Sequence, residues 1–385
     1  MKDNILIVHG GGPTAVINAS LYGTLREASR FTEIGAIYGA VGGVNGIFQE
    51  RFVDFKSQSS VQIDLLPYTP ASAIGTSRTK LSPEDYVKAV GILKKNRIKY
   101  LLFNGGNGSM DTCGKFYKLA AVEGIGVIGI PKTVDNDIAV TDHCPGYGSA
   151  ARYLAVSVAE AAQDIKAMPI HVCVIEAMGR NTGWIAAASS LARKKPEDAP
   201  HLIYLPERPF IVKEFLEDVG RLHREFGGVV IVASEGLADE SGKPIVEPIF
   251  TRGRDVYFGD VSSHLAMLVI KELGIKARSE KPGILGRASA TLQSPVDREE
   301  AVEAGRLAAK AAMEGKSGFM VGCRRISNQP YGCESLLIPI EEVMMKERKV
   351  PDDFINERGN GVTSSFEEYC RPLIGGPLPE YADFR

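Results

Sequence analysis

The sequence IGVIGI-PKTVDND, residues 125–137, joins an apolar run to a lysine and two carboxylates that stand two positions apart. The apolar run is typical of a buried strand, and open parallel sheets bind ligands beyond the carboxyl ends of their strands. A cluster of this composition could bind a cation, hold a phosphate through the lysine or supply a general base. The alternative is an exposed acidic turn, because Asp-Asn-Asp is common turn chemistry.

Two strand-turn-helix units lie earlier in the chain. An apolar run at residues 5–8 is followed by the glycine turn HGGGPT and by helical composition up to residue 28. The same order recurs over residues 100–122, where YLLF precedes the turn NGGNGS and a helical stretch. Strands that alternate with helices in this way predict a parallel, doubly wound sheet.

A second series of apolar runs, at residues 170–176, 201–205 and 228–233, also delivers charged residues to strand ends. The expected fold is therefore α/β, with two doubly wound lobes of mainly parallel sheets that face one cleft, the usual place for a ligand. The first lobe is expected to take residues 1–147 and about 288–335, and the second to take residues 148–287. Residues 336–385 are charged, rich in Pro and Gly and poor in periodicity, so we expect a C-terminal extension that wraps the surface.

Composition excludes several classes of function. The chain has 385 residues with 45 basic and 47 acidic side chains, so no global charge attracts nucleic acid or a membrane. Its six cysteines lack CxxC spacing, which argues against a zinc site and against a disulfide framework. No apolar stretch reaches the length of a signal peptide or a membrane span. We therefore expect a cytoplasmic protein with reduced thiols.

The glycine turns at residues 10–12 and 105–109 are candidates for phosphate binding. Glycine lets the backbone approach an anion, and the helix that follows directs free N–H groups at it. A tight turn between a strand and a helix favours glycine for structural reasons as well, so one turn alone is weak evidence. Neither turn fits the Walker pattern or the GxGxxG fingerprint, which disfavours a P-loop kinase and a common dehydrogenase.

Two arginines follow small-residue segments, Arg78 at the end of AIGTSR and Arg180 at the end of MGR. A guanidinium can bind a phosphate through two parallel hydrogen bonds. A single arginine is more often a solvated surface charge, but several cations at strand ends indicate an anion site.

These motifs together resemble the ATP- and pyrophosphate-dependent 6-phosphofructokinase family. The segment KTVDND at residues 132–137 is similar to the family's catalytic TIDND segment, and MGR at residues 178–180 is similar to its MGR signature. The pentad GGNGS at residues 105–109 resembles its GGDGS nucleotide loop. The resemblance runs from about residue 4 to about residue 310 in the family's order.

The resemblance implies Mg²⁺-dependent phosphoryl transfer to the 1-hydroxyl of fructose 6-phosphate, with Asp135 as general base held by Thr133 and Asn136. The residues it implies for catalysis are Lys132, Thr133, Asp135, Asp137 and Arg180. Those it implies for donor binding are Gly11, Gly12, Arg78, Gly106, Asn107, Gly108 and Ser109. Those it implies for the sugar phosphate are Thr133, Asp135, Met178, Gly179, Arg180, Glu235, Arg278 and Arg287.

The resemblance also implies an oligomer, because the family takes arginines for the 6-phosphate from a neighbouring subunit. Arg278 and Arg287 are similar to that pair, so we expect a homodimer or a homotetramer. His171 departs from the family pattern, since bacterial ATP enzymes have another intersubunit arginine there. Asn107 departs as well, because it replaces an aspartate near Mg²⁺ and leaves Asp137 as an indirect metal contact.

The phosphoryl donor depends on Gly108 and Lys132. Pyrophosphate enzymes of the family have aspartate in place of Gly108, where it would repel the α-phosphate of ATP, whereas glycine leaves room for a nucleotide. Lys132 supplies a cation that pyrophosphate needs, but ATP enzymes with both residues also exist. We expect ATP as the donor, with pyrophosphate as the alternative. A kinase for another ketose phosphate and a non-catalytic sugar-phosphate sensor are further alternatives.

Overall fold

The computed structural model describes residues 2–252 and 255–384. Its strands are β1 (Asp3–His9), β2 (Ile34–Ala40), β3 (Phe52–Asp54), β4 (Ile98–Gly105), β5 (Gly126–Pro131), β6 (Val172–Ala177), β7 (Leu202–Tyr204), β8 (Val229–Ser234), β9 (Pro248–Arg252), β10 (Asp255–Phe258), β11 (Ala277–Glu280), β12 (Phe319–Asn328) and β13 (Tyr331–Pro339). Its α-helices are α1 (Ile17–Ala28), α2 (Val44–Phe48), α3 (Ser60–Leu65), α4 (Pro83–Lys95), α5 (Asn107–Ala120), α6 (Tyr147–Ala167), α7 (Trp184–Ala188), α8 (Val212–Phe226), α9 (Val261–Leu268), α10 (Ile284–Ala288), α11 (Pro295–Met313), α12 (Ile340–Val343) and α13 (Ser364–Cys370). Within the described ranges, no helix combines the length and the apolar character that crossing a bilayer requires.

The chain divides into two compact units. The first unit contains the residues up to Ser149 together with Arg287–Arg348. The second unit contains Ala150–Gly286 and the chain from Lys349 onward.

The sheet of the first unit has the strand order β13-β12-β5-β4-β1-β2-β3. The central strands β5, β4, β1 and β2 run parallel, whereas β3 and β13 pair antiparallel with their neighbours. In this register His9 pairs with Asn104, and Gly105 pairs with Pro131. Both glycine turns and residues 131–137 therefore begin at the same edge of one sheet.

Alternate side chains of β1 pack against helices on opposite faces of this sheet. Ile5 and Ile7 pack in the apolar cluster that also holds residues of α1 and α11. Leu6 and Val8 pack in the cluster that holds residues of α4 and α5. Parallel strands buried on both faces have continuous apolar sequences, which is the pattern of residues 5–8. The predicted α/β, doubly wound class is confirmed.

The sheet of the second unit has the strand order β11-β6-β8-β7, and all of its pairs are parallel. One of its faces packs on α8 and α9 through residues such as Val174, Phe215 and Leu265. The carboxyl ends of β6 and β8 lie side by side, because Ala177 pairs with Ser234.

Residues 336–385, expected to form one C-terminal extension, are divided between the two units. Strand β13 pairs antiparallel with β12 over most of its length, which makes residues up to Pro339 part of the first sheet. Farther along, Phe354, Phe366 and Tyr369 pack around Trp184 at ring-centroid distances of 6.1, 6.3 and 5.4 Å. Aromatic burial therefore attaches the last residues to the second unit.

Candidate active site

The first glycine turn follows β1, and side chains from other parts of the unit lie close to its backbone. Gly11 has a φ of +76°, which favours glycine. Its N–H donates to the carbonyl of Ser77 at 2.9 Å. A Cβ at Gly12 would lie only 2.9 Å from Nη1 of Arg287. A side chain at Gly12 would therefore displace Arg287, and one at Gly11 would be strained by the positive φ.

Three cations surround this turn, and we call Lys132, Arg78 and Arg287 the cationic cluster. Lys132 is only 2% exposed, and its Nζ donates to the carbonyl of Gly12 at 2.5 Å. A Cβ at Gly12 would also lie 3.4 Å from Nη2 of Arg78. The structure thus brings together two predicted donor-binding glycines and three predicted cations.

The three cations of the cluster disfavour one another's charge. Burial lowers the pKa of Lys132 to about 8; the charges of Arg287 and Arg78 add to this effect, whereas Asp135 and Asp137 oppose it. The pKa of Arg287 is also lowered, first by burial and then by Arg78. A multivalent anion would neutralise this charge.

The second glycine turn packs directly on the first. A Cβ on Gly105 would lie 2.1 Å from Oγ of Ser109, and a Cβ on Gly10 would lie 2.2 Å from the same oxygen. Ser109 therefore fills the space between the turns, a packing role beside its predicted role in donor binding. Gly106 is the N-cap of α5, and the N–H of Ser109 donates to its carbonyl at 2.8 Å, which leaves the N–H groups of Asn107 and Gly108 at the start of the helix as candidates for anion binding. Gly108 is exposed, and no atom lies within 4 Å of a Cβ built on it.

The segment after β5 is fixed by backbone hydrogen bonds. Thr133 donates its N–H to the carbonyl of Pro145 at 3.1 Å, and its Oγ1 accepts the N–H of Asp135 at 3.1 Å. Asn136 has a φ of +54°, and its Oδ1 accepts the N–H of Cys144 at 3.0 Å. Asn136 thus stabilises the loop that follows, in addition to the role implied for it beside Asp135.

Asn107 and Asp137 form a second polar pair in this unit. Nδ2 of Asn107 donates to the backbone carbonyl of Asp137 at 3.3 Å. The Oδ1 atoms of both side chains are buried and accept no hydrogen bond from any described residue. Burial raises the pKa of Asp137. Two unpartnered oxygens of this kind fit a hard divalent cation such as Mg²⁺ or its bound water.

Arg348 is a contributor that sequence reasoning missed. Its N–H donates to the carbonyl of Asp137 at 2.8 Å, and its Nη1 donates to the carbonyl of Thr141 at 3.0 Å. It therefore holds the loop that carries Asp137. It belongs to no motif and lies in the expected extension, so no pattern in the sequence indicated its role.

The second unit brings together the predicted residues Met178, Gly179, Arg180 and Glu235. Gly179 has a φ of +124°, and its N–H donates to Oε1 of Glu235 at 3.2 Å. A Cβ at Gly236 would lie 1.7 Å from the carbonyl oxygen of Arg180, so only glycine allows this approach. The exposed guanidinium of Arg180 lies 5.9 Å from the centroid of the Phe258 ring.

Arg278 and Arg287, expected to act as a pair, are placed in different units. Arg287 lies in the last turn of the short helix α10 and belongs to the cationic cluster of its own chain. Arg278 is exposed on β11 and pairs with Cys173 of β6. The neighbouring His171 is buried, and its pKa is lowered by burial and by Arg278.

Comparisons with known proteins agree on the family of this chain. A family model described as phosphofructokinase matches residues 4–312. The pyrophosphate–fructose 6-phosphate 1-phosphotransferase of Xanthomonas campestris is 39% identical over 388 residues, which cover 98% of this chain and 92% of the relative. The sulfofructose kinase of Alkalicoccus urumqiensis is 36% identical over 378 residues, which cover 97% of this chain and 96% of the relative. The crystal structure of a pyrophosphate-dependent phosphofructokinase from Marinobacter aquaeolei matches with a TM-score of 0.90 and 36% identity, covering 99% of this chain and 94% of that one.

The expectation that ATP is favoured over pyrophosphate is wrong. The Xanthomonas relative and the Marinobacter structure, which match almost the whole chain, are both named as pyrophosphate-dependent. The expectation depended on Gly108, where the structure has open space. Open space permits a nucleotide but supplies no contact that would select one, so Gly108 is a poor indicator of the donor.

Proposed function

The chain belongs to the phosphofructokinase family, and on that premise we propose that it transfers a phosphoryl group from pyrophosphate to the 1-hydroxyl of fructose 6-phosphate. The observation that carries this proposal is the cationic cluster around Gly11 and Gly12. Pyrophosphate has no adenosine, so its affinity must come from contacts to phosphate oxygens. A buried lysine beside two guanidinium groups is suited to a small anion of high charge.

Asp135 is the proposed general base. Its turn is fixed by the hydrogen bond from its N–H to Oγ1 of Thr133. The carboxylate takes the proton of the 1-hydroxyl while the sugar oxygen bonds to phosphorus. The bond from that phosphorus to the bridging oxygen breaks, and inorganic phosphate leaves. The cationic cluster neutralises the charge on the phosphate oxygens as this happens.

We propose that Asn107 and Asp137 hold Mg²⁺, directly or through its water. Their buried, unpartnered Oδ1 atoms support this assignment. When bound, the ion would lower the charge of the pyrophosphate and so favour attack by the sugar oxygen.

The second unit is proposed to bind the sugar phosphate. Glu235 is held at Gly179 and can accept hydrogen bonds from sugar hydroxyls, while the exposed Arg180 can meet a phosphate oxygen. We further propose that Arg278 binds the 6-phosphate of a sugar held by a neighbouring subunit, as the family resemblance implies. This role requires a homodimer or a homotetramer.

The test is direct assay of the full chain with fructose 6-phosphate, pyrophosphate and Mg²⁺. We expect fructose 1,6-bisphosphate and inorganic phosphate in equal amounts, and the reverse reaction from the same two compounds. Asp135→Asn should lower kcat by at least about 10²-fold, the lower range for loss of a general base. Asp64→Asn, an exposed control in α3, should leave kcat unchanged.

Two results would overturn the proposal. One is the absence of phosphoryl transfer from pyrophosphate to fructose 6-phosphate while the protein is folded. The other is faster turnover of sulfofructose than of fructose 6-phosphate, which would favour the acceptor named for the Alkalicoccus relative instead.

A further inference from the structure

Cys323, Cys333 and His143 form a cluster that the proposed reaction does not use. Cys323 lies on β12 and Cys333 on β13, at diagonal positions of the hairpin, because Cys323 pairs with Ser335 and Arg325 pairs with Cys333. One ligand atom from each of the two cysteines and the histidine lies within 4.8 Å of the others. The cysteine spacing predicts no zinc site, but the hairpin places the two thiols together.

From this geometry we propose that Cys323, Cys333 and His143 bind a divalent metal ion that prefers sulfur and nitrogen ligands, namely Zn²⁺. Tetrahedral Zn²⁺ with bonds of about 2.0 Å to nitrogen and about 2.3 Å to sulfur separates those two ligand atoms by about 3.5 Å. Sγ of Cys323 lies 3.4 Å from Nδ1 of His143. The separation therefore already matches that of two ligands on one metal ion.

The surroundings of His143 match those of a metal-binding histidine. Its Nε2 lies 2.6 Å from Oε2 of Glu300, and the hydroxyl of Tyr331 donates to the other oxygen of that carboxylate at 2.5 Å. A carboxylate on the far nitrogen fixes the tautomer and orients the ring, as is usual for metal-bound histidine. The near nitrogen, Nδ1, is then directed to the metal.

Asp142 lies next to His143 but outside the group of three ligands. Its Oδ2 lies 2.7 Å from Nδ1 of His143 and 3.1 Å from Nη2 of Arg325. Metal binding would break the hydrogen bond between Asp142 and His143, while Arg325 keeps its contact with Asp142 and a water molecule takes the fourth position on the ion. The thiols of Cys323 and Cys333 and Nδ1–H of His143 lose their protons to solvent as the metal binds.

The choice of Zn²⁺ follows from the ligand types. Two thiolates and an imidazole favour zinc, whereas Mg²⁺ requires oxygen ligands. His143 is 3% exposed, while both cysteines are half-buried, so a metal ion can reach the thiols from solvent. The ion would join the β12–β13 hairpin to residues 141–143, in the loop that follows Asp137.

The test is zinc binding by the reduced full-length protein after removal of metal with a chelator. We expect one Zn²⁺ for each chain by elemental analysis, and with Co²⁺ the absorption bands of a tetrahedral thiolate site. Cys323→Ala, Cys333→Ala and His143→Gln should each weaken zinc binding by more than about tenfold. Cys173→Ala, in the second unit, is the matched control and should bind zinc as wild type does.

A second measurement needs no variant. In the wild-type protein, zinc should protect Cys323 and Cys333 from alkylation, as mapped by mass spectrometry. The proposal is overturned if zinc leaves both thiols equally reactive, or if the Cys323→Ala, Cys333→Ala double variant binds zinc as tightly as wild type does.

Discussion

Replacing Lys132 by methionine removes the buried cation of the cationic cluster and keeps a side chain of similar length. Lys132 is 2% exposed, so water screens its charge poorly. A pair of unit charges about 4 Å apart is worth about 4 kcal/mol at an effective dielectric constant of about 20. Arg78 and Arg287 remain and can compensate in part. We therefore expect a loss of about 2–4 kcal/mol, or about 30- to 700-fold in kcat/KM for pyrophosphate.

The stability of this variant separates a binding role from a folding role. The pKa of Lys132 is lowered from 10.5 to about 8, so keeping the folded protein's lysine charged at pH 7 costs about 3 kcal/mol. Methionine removes this cost and also removes the hydrogen bond to Gly12, which is worth about 1 kcal/mol. The melting temperature of Lys132→Met should therefore not fall below that of wild type.

The assay is steady-state turnover at pH 7 with saturating fructose 6-phosphate, Mg²⁺ and varied pyrophosphate. Lys118→Met is the matched control, because it removes an exposed lysine of the same unit, 59% exposed and 3.5 Å from Glu341. We expect that control to keep wild-type kinetics. A fall of less than about threefold in Lys132→Met, with normal melting, would refute the electrostatic reasoning.

Three further outcomes are expected. In wild type, kcat/KM for pyrophosphate should fall as the pH rises through about 8, because Lys132, which faces Asp135, Asp137, Arg78 and Arg287, then loses its charge. A pH profile of Lys132→Met should lack this step, and its persistence would assign the step to another group. Asp297→Ala should lower the free energy of unfolding in urea by about 3–5 kcal/mol, because the N–H groups of Gly146 and Ser149 and the Ser149 hydroxyl lose their buried acceptor, at about 1–3 kcal/mol each. A loss below about 1 kcal/mol would contradict that reasoning.

Local sequence patterns predicted the part of the fold that carries the proposed donor site. Strands β1 and β5 are apolar on both faces, and the turns that follow them consist of glycine or charged residues, so parallel pairing had to bring their ends to one edge. The position of Lys132 follows from that topology alone. Its contact with Gly12 follows from the same edge.

Contacts between residues far apart in the chain were beyond sequence reasoning. Arg287 lies beside Gly12, although 275 positions separate them in the chain. Arg348 donates to the carbonyl of Asp137 from a segment whose sequence shows no helix or strand periodicity. The β12–β13 hairpin was missed because neither strand shows a clear alternation of polar and apolar residues, and because residues 336–339 were assigned to the extension. The prediction of the donor was wrong because it depended on one small residue, Gly108, whereas several cations together influence the preference between ATP and pyrophosphate.

The proposed function depends most directly on which phosphoryl donor the enzyme prefers. The decisive measurement is kcat/KM for pyrophosphate and for ATP, each with saturating fructose 6-phosphate and Mg²⁺, on one preparation of the full chain. We expect pyrophosphate to be preferred by more than about 100-fold, the discrimination that a site built for one ligand can reach. A value for ATP equal to or above that for pyrophosphate would contradict the assignment of the cationic cluster to pyrophosphate.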